Sequence, residues 1–168
     1  MTKTQAPNGK RAKKRGISYR PITDADMPLL GIIYDSTRAA EMQSVPWTSQ
    51  QKRDFLDMQF RAQHTHYQEH YPDAAWLIIE HGGEAIGRLY LEEWPTQFCV
   101  IDITILPHLR GSGHGGAIMR DVMDEARAVG KGVCIHVEKN NQAMHLYNRL
   151  GFEKAEDKGV YDLMVWRP

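Results

Sequence analysis

Cysteine is scarce in this chain: Cys99 and Cys134 are the only two among 168 residues, and each sits inside an apolar, strand-like run. That usage excludes a small scaffold stapled by several disulfides, and with no apolar leader it points to a reducing, cytoplasmic home. Long apolar runs are missing too, none approaching the roughly 20 residues a membrane helix needs, so no membrane partner is expected. Acidic residues are absent from the first 15 positions, where Lys3, Lys10, Arg11, Lys13, Lys14 and Arg15 give six positive charges. The formal net charge is zero, so the rest of the chain carries 15 basic and 21 acidic side chains. A short basic stretch without aromatics reads as a solvated, disordered tail over residues 1–15, and nucleic acid is not expected as a partner.

What is present is an ordinary globular composition, 42% hydrophobic and 25% charged, with no internal repeat. Residues 16–168 read as one domain, large enough to bury roughly 70% of the unfolded surface and still hold a cleft. Residues 17–23, ISYRPIT, alternate as a strand, and Asp24 stands where a helix N-cap would precede an apolar-periodic stretch. A second helical run follows, with Phe55, Met58, Gln59 and Ala62 at three-to-four spacing and Pro72 at its end. Two strands then meet at His81-Gly82-Gly83-Glu84, a hairpin turn by its glycines. In residues 98–106, FCVIDITIL, Val100, Asp102 and Thr104 alternate against Ile101, Ile103 and Ile105. A helix from about Gly113 to Val129 carries Ile118, Met119, Val122, Met123 and Ala126 on one face. A strand, a short helix closed by Gly151, and two strands around Lys158-Gly159 complete the order β-α-α-β-β-β-α-β-α-β-β.

The stretch LPHLRGSGHGGAIM, residues 106–119, places four glycines in six positions just ahead of a helix. Such a turn presents backbone N–H groups and the positive helix end to an anion. Gly111, Gly113 and Gly116 satisfy the dinucleotide spacing G-x-G-x-x-G, and Glu138 stands where a ribose-binding acid would be sought. A dinucleotide fold, however, puts that turn in its first βαβ unit and builds further units behind it. Here only 30 residues follow Glu138. A Walker-type site lacks its Lys-Ser or Lys-Thr pair.

Arg110, Gly113 and Gly115 also fill R-x-x-G-x-G, and about 20 residues later Asn140, Ala143, Tyr147, Gly151 and Phe152 fill N-x-x-A-x-x-x-Y…G-F. With this pair of motifs the chain resembles the GNAT-type N-acetyltransferase superfamily over residues 17–166. The resemblance implies an α/β (α+β) GNAT fold: a mixed, mostly antiparallel twisted sheet of about seven strands, flanked by four helices, with a splayed cofactor cleft between strands four and five. It implies acetyl-CoA as acyl donor, held by Arg110, the loop Gly111, Ser112, Gly113, His114, Gly115 and Gly116, and by Asn140, Ala143 and Tyr147. The acceptor would be a primary amine of a small molecule, amino acid or polypeptide, and a homodimer is compatible with the fold.

Acyl transfer to an amine needs a deprotonated amine, a donor to the developing oxyanion and a proton for the thiolate. The resemblance gives Tyr147 the last role, and a backbone N–H near Ile105 or Leu106 the second. Asp102 and Glu92 stand as alternative carboxylate bases, and a reaction with no protein base is the third possibility. A non-catalytic acyl-CoA-binding sensor is the alternative function. His66 and His70 share a helix face at i, i+4, but without the Glu of H-E-x-x-H or a nearby cysteine they read as a solvated face, and no metal is expected. Tyr67 and Tyr71 are read as lining the substrate side together with Trp47.

Overall fold

The computed structural model describes residues 3–168. A seven-stranded sheet runs in the order β1-β2-β3-β4-β5-β7-β6, formed by β1 (Ile17–Pro21), β2 (Ala75–His81), β3 (Glu84–Glu93), β4 (Gln97–Ile105), β5 (Gly132–Glu138), β6 (Glu153–Lys158) and β7 (Tyr161–Trp166). The helices are α1 (Lys10–Lys14), α2 (Met27–Gln43), α3 (Ser49–His70), α4 (His114–Ala128) and α5 (Ala143–Arg149). Neighbouring strands are antiparallel except β4 and β5, which run parallel and pair only from Gln97↔Gly132 to Val100↔Ile135. Beyond that last rung the two strands part, and the sheet opens into a fork.

The expected mixed sheet, the chain order of its seven strands and the β2–β3 hairpin are all present. Gly82 and Gly83 both take positive φ, 59° and 84°, which is why the turn needs glycine twice. Each face of the sheet carries its own core. One is built from α4, with Ile118, Met119 and Val122 fully buried against Leu89, Val100 and Ile135. The other sets Leu30 and Tyr34 of α2 and Leu56 and Phe60 of α3 against Ile78 and Tyr90. The buried stripe of α3 is therefore set by Leu56 and Phe60, while the expected Met58 and Ala62 are exposed. Both phases satisfy helical spacing, and Phe55 and Gln59 of the expected set lie half-buried beside the stripe. The first turn before α2 is capped by Thr23 rather than Asp24, with Asp26 completing a capping box.

Strand β4 departs from simple alternation. Tyr90 pairs with Asp102 but Leu91 with Val100, so Ile101 is an extra residue in a β-bulge. The bulge reverses the phase: Val100 and Ile103 both face α4, and Asp102 and Thr104 face α3. Val100 does not share a face with Asp102, as uninterrupted alternation would require.

The basic N-terminal segment is docked, not a solvated tail, and it supplies a fifth helix where four were expected. Ala12 is 1% exposed. The buried carboxylate of Asp121 on α4 accepts from the backbone N–H of Arg11 at 3.2 Å and of Ala12 at 3.0 Å. Thr4 is buried as well, and its hydroxyl oxygen accepts from the N–H of Glu93 at 2.9 Å. Composition concealed this because the docking uses backbone donors and one small side chain, not an apolar run. Deleting residues 1–15 would remove these charge-assisted hydrogen bonds and the packing of Ala12 on α4, a cost of about 1–3 kcal/mol. Thermal denaturation should show a drop of about 3–10 °C for a domain of this size. An unchanged melting temperature would return the segment to the status of a solvated leader.

Candidate active site at the sheet fork

At the open end of β4 the chain turns through Pro107–Leu109, a single 3-10 turn, into the glycine loop and α4. Gly111 and Gly113 hold φ of 78° and 91°, left-handed values that an L side chain rarely adopts. Gly113 is the N-cap of α4, and no side chain caps the helix. The six backbone N–H groups from Gly111 to Gly116 find no acceptor among the described residues. Unpaired donors at a helix start, with the positive helix end behind them, form a cradle for a phosphate-type anion. Gly115 and Gly116 are helical. A Cβ on Gly116 would stand 3.5 Å from Leu146 Cδ1, an ordinary contact, so α5 packs beside the start of α4 without requiring glycine there.

Arg110 is drawn inward, its Nε donating to the carbonyl of Ile105 at 2.7 Å, and its partial burial lowers its pKa. The interaction ties the loop to the last residue of β4. Of the two expected oxyanion donors, the Leu106 N–H is taken, donating to the Ile86 carbonyl at 2.8 Å. Because the ladder of an antiparallel pair alternates sides, the N–H of Ile105 points away from β3 and into the fork. Tyr147, on α5, is 4% exposed and packs edge-on to Phe152 with ring centroids 5.8 Å apart. Burial first, and the Asp102 carboxylate second, push its phenol well above the ordinary tyrosine range. Asn140 is exposed and Ala143 half-buried at the start of α5. The Ala143 N–H is capped by Asn141 Oδ1 at 2.8 Å, a role the sequence motif does not distinguish from Asn140.

Asp102 and Glu92 lie on either side of the point where the strands part. Glu92, 8% exposed, is opposite Cys99, where β4 and β5 are still paired. Asp102 stands past the last rung. Its Oδ2 accepts from Arg88 Nη2 at 2.8 Å and its Oδ1 from the Thr104 hydroxyl at 2.8 Å. Arg88 also donates to Gln63 Oε1 of α3 at 2.9 Å and sits 4.9 Å from the centre of the Tyr90 ring. Arg88 was missed in reading the chain, although an arginine within the otherwise apolar AIGRLYL run was a visible signal.

On the α2–α3 side, Tyr67 meets Tyr90 edge-on at 6.1 Å, and Trp47 packs on Phe55 at 5.1 Å while 43% exposed. Tyr71 is half-buried, with Glu92 and Cys99 near enough to help raise its pKa after burial. Glu138, the sought ribose acid, instead accepts from Arg38 of α2 at 2.9 Å, which removes the remaining support for a dinucleotide reading. His66 and His70 stack at 4.0 Å on the exposed face of α3. Among the described residues no cluster of three metal-ligating side chains occurs.

The parallel pair parts at mid-sheet beside the unpaired N–H groups at the start of α4. The profile of the acetyltransferase (GNAT) family matches residues 36–152, and the chain belongs to that family. No curated protein matches the sequence. Among solved structures, the chain is similar to the PaiA N-acetyltransferase of Thermoplasma acidophilum in complex with coenzyme A, at 12% identity and TM-score 0.68, covering 90% of this chain and 99% of that one. It is similar to a GNAT family acetyltransferase of Elizabethkingia anophelis with acetyl-CoA bound, at 14% identity and TM-score 0.59, covering 91% and 99%. The ribosomal-protein-S18-alanine N-acetyltransferase of Escherichia coli matches at 17% identity and TM-score 0.56, covering 89% and 90%. At these identities the likeness is one of fold.

Proposed function

We propose that the protein is an N-acetyltransferase that transfers the acetyl group of acetyl-CoA to a primary amine by direct attack within a ternary complex. The observation that carries this reading is the set of six unpartnered N–H groups at the start of α4, placed beside the fork between β4 and β5. These residues fit the proposed donor: the cradle suits a pyrophosphate, and the fork exposes strand edges to which an extended amide-bearing arm can hydrogen-bond. Acetyl-CoA supplies an acyl group already activated as a thioester.

The chain's own residues then have separable tasks. The Ile105 N–H, facing the fork, donates to the acyl oxygen. The Tyr147 hydroxyl holds a proton for the leaving sulfur, and its raised pKa keeps that proton in place at neutral pH. Asp102, past the last rung, is the carboxylate we assign to the amine side; each of its oxygens accepts one hydrogen bond and keeps acceptor capacity for a water or the amine. Glu92 is set where the strands are still paired and is not assigned a step.

The acceptor class is read as a primary amine on a small molecule, amino acid or polypeptide. Two of the solved structures similar to this chain are named for ribosomal-protein substrates, S18 alanine and L7/L12, which supports including polypeptide N-termini in a screen. The test is release of free thiol from acetyl-CoA against amino acids, polyamines, aminoglycosides and N-terminal peptides. Thiol release that depends on one of these amines is expected. Tight acetyl-CoA binding with no amine-dependent release across the panel would favour a sensor over an enzyme.

A further inference from the structure

The N-terminal arm lies outside the residues that match the family profile, which begin at residue 36. It runs along α4 from Glu125 back to the glycine loop. The Asn8 N–H donates to Glu125 Oε1 at 2.6 Å, Asp121 accepts from Arg11 and Ala12, and Arg11 pairs with Asp124 at 3.3 Å. At its end Arg15 reaches the cradle. Its Nη2 donates to the Ser112 carbonyl and its Nε to His114 Nδ1 at 3.3 Å.

That contact bears on how the cradle is aimed. In a trans peptide the C=O and the following N–H point in opposite directions, and the described chain has no cis bond. Holding the Ser112 carbonyl toward Arg15 therefore turns the Gly113 N–H the other way, toward the side the anion must occupy. The guanidinium lies directly against Gly113, where a Cβ would stand 2.9 Å from Arg15 Nη2. His114, 9% exposed, is fixed between Arg15 and the His81 ring, 5.0 Å away, with burial and the two neighbours keeping it neutral enough to accept. Arg11 has a carboxylate partner, whereas no carboxylate lies within 4 Å of the Arg15 guanidinium among the described residues. Its charge stands uncompensated beside the donors.

We propose that Arg15 is a positioning residue for acyl-donor binding: supplied by the N-terminal arm, it orients the Ser112–Gly113 peptide so that the Gly113 N–H is presented to the pyrophosphate. This rests on the reading that the loop binds the pyrophosphate of coenzyme A. The test uses the full chain as wild type, Arg15→Ala and Arg15→Lys, with coenzyme A titrated by calorimetry and pantetheine, which lacks the pyrophosphate and nucleotide, titrated by NMR at millimolar concentration.

Arg15→Ala should weaken coenzyme A binding about tenfold or more, the usual scale of a charge-assisted hydrogen bond. Pantetheine binding should change less than twofold. Arg15→Lys should recover part of the loss, because an ammonium keeps the charge but does not reproduce the planar fork to Ser112 and His114. Arg15 is exposed, so the melting temperature should stay within about 2 °C of wild type, the span of a surface substitution. Coenzyme A affinity within twofold of wild type in Arg15→Ala, or an equal loss for both ligands, would overturn the proposal. If the wild-type protein itself fails to bind coenzyme A, the functional reading falls first and this inference with it.

Discussion

Tyr147→Phe is expected to lower the single-turnover acetyl-transfer rate by about 10²- to 10⁴-fold, the usual worth of a positioned general acid. The ring packs against Phe152 within the α4 core, and the phenylalanine keeps that packing, so the fold and most donor affinity should be retained. Only the proton donor is lost. No hydrogen bond from the hydroxyl to a protein group is found among the described residues, which leaves it free to serve a ligand. Burial and Asp102 raise its pKa, so loss of its proton should produce no falling limb in the wild-type rate below about pH 10, the ordinary tyrosine value. Single-turnover measurement at saturating amine separates chemistry from product release, which could otherwise mask the effect. A rate within about threefold of wild type, far below the span of a catalytic acid, would make Tyr147 a packing residue.

Asp102→Ala should cost more stability than any surface change, about 3–5 kcal/mol, because it strands a guanidinium in the core. Arg88 is 1% exposed and Asp102 15%, and the pair is joined at 2.8 Å beneath α3. Burial acts to lower the Arg88 pKa, and Asp102 with the surrounding phenols outweighs it; with Asp102 removed the guanidinium still keeps its proton, because its intrinsic pKa lies far above neutrality. Its Nε already lacks a partner. For a domain of this size the loss corresponds to a melting-temperature drop of about 6–20 °C.

The double variant Asp102→Leu with Arg88→Met replaces both charges by apolar groups, and most of the lost stability should return. That variant also separates the two roles of Asp102. If it folds yet loses amine-dependent turnover, the carboxylate acts on the reaction; if it folds and turns over within about threefold, Asp102 only holds Arg88. A destabilisation below about 1 kcal/mol in Asp102→Ala, the scale of an exposed pair, would contradict the buried network.

The glycine turn ahead of α4 and the placing of Tyr147 on a short helix were legible in the chain because their signals are local. Four glycines before an amphipathic helix state a backbone requirement that holds wherever the segment lies. The choice between Ile105 and Leu106 was not legible, since it depends on which side of β4 carries the ladder to β3. Nor was the separation of Asp102 from Glu92 relative to the fork, which the pairing of β4 with β5 decides. The α3 stripe was misplaced by its neighbours' equal periodicity, and the β4 faces by a bulge that leaves no mark in composition.

What the sequence determined by itself was the order of elements from β1 onward, the glycine turn ahead of α4 and the family pattern, because each rests on contacts between residues close in the chain. Helical periodicity, turn glycines and motif spacing are all of that kind. The tertiary structure alone decided that the basic arm docks, that Asp121 receives its backbone donors and that Arg15 meets Ser112. Those contacts join residues about a hundred positions apart. Backbone N–H groups, a single alanine and the Arg15 guanidinium carry them, and none of these has a signature in the sequence until α4 is placed beside them.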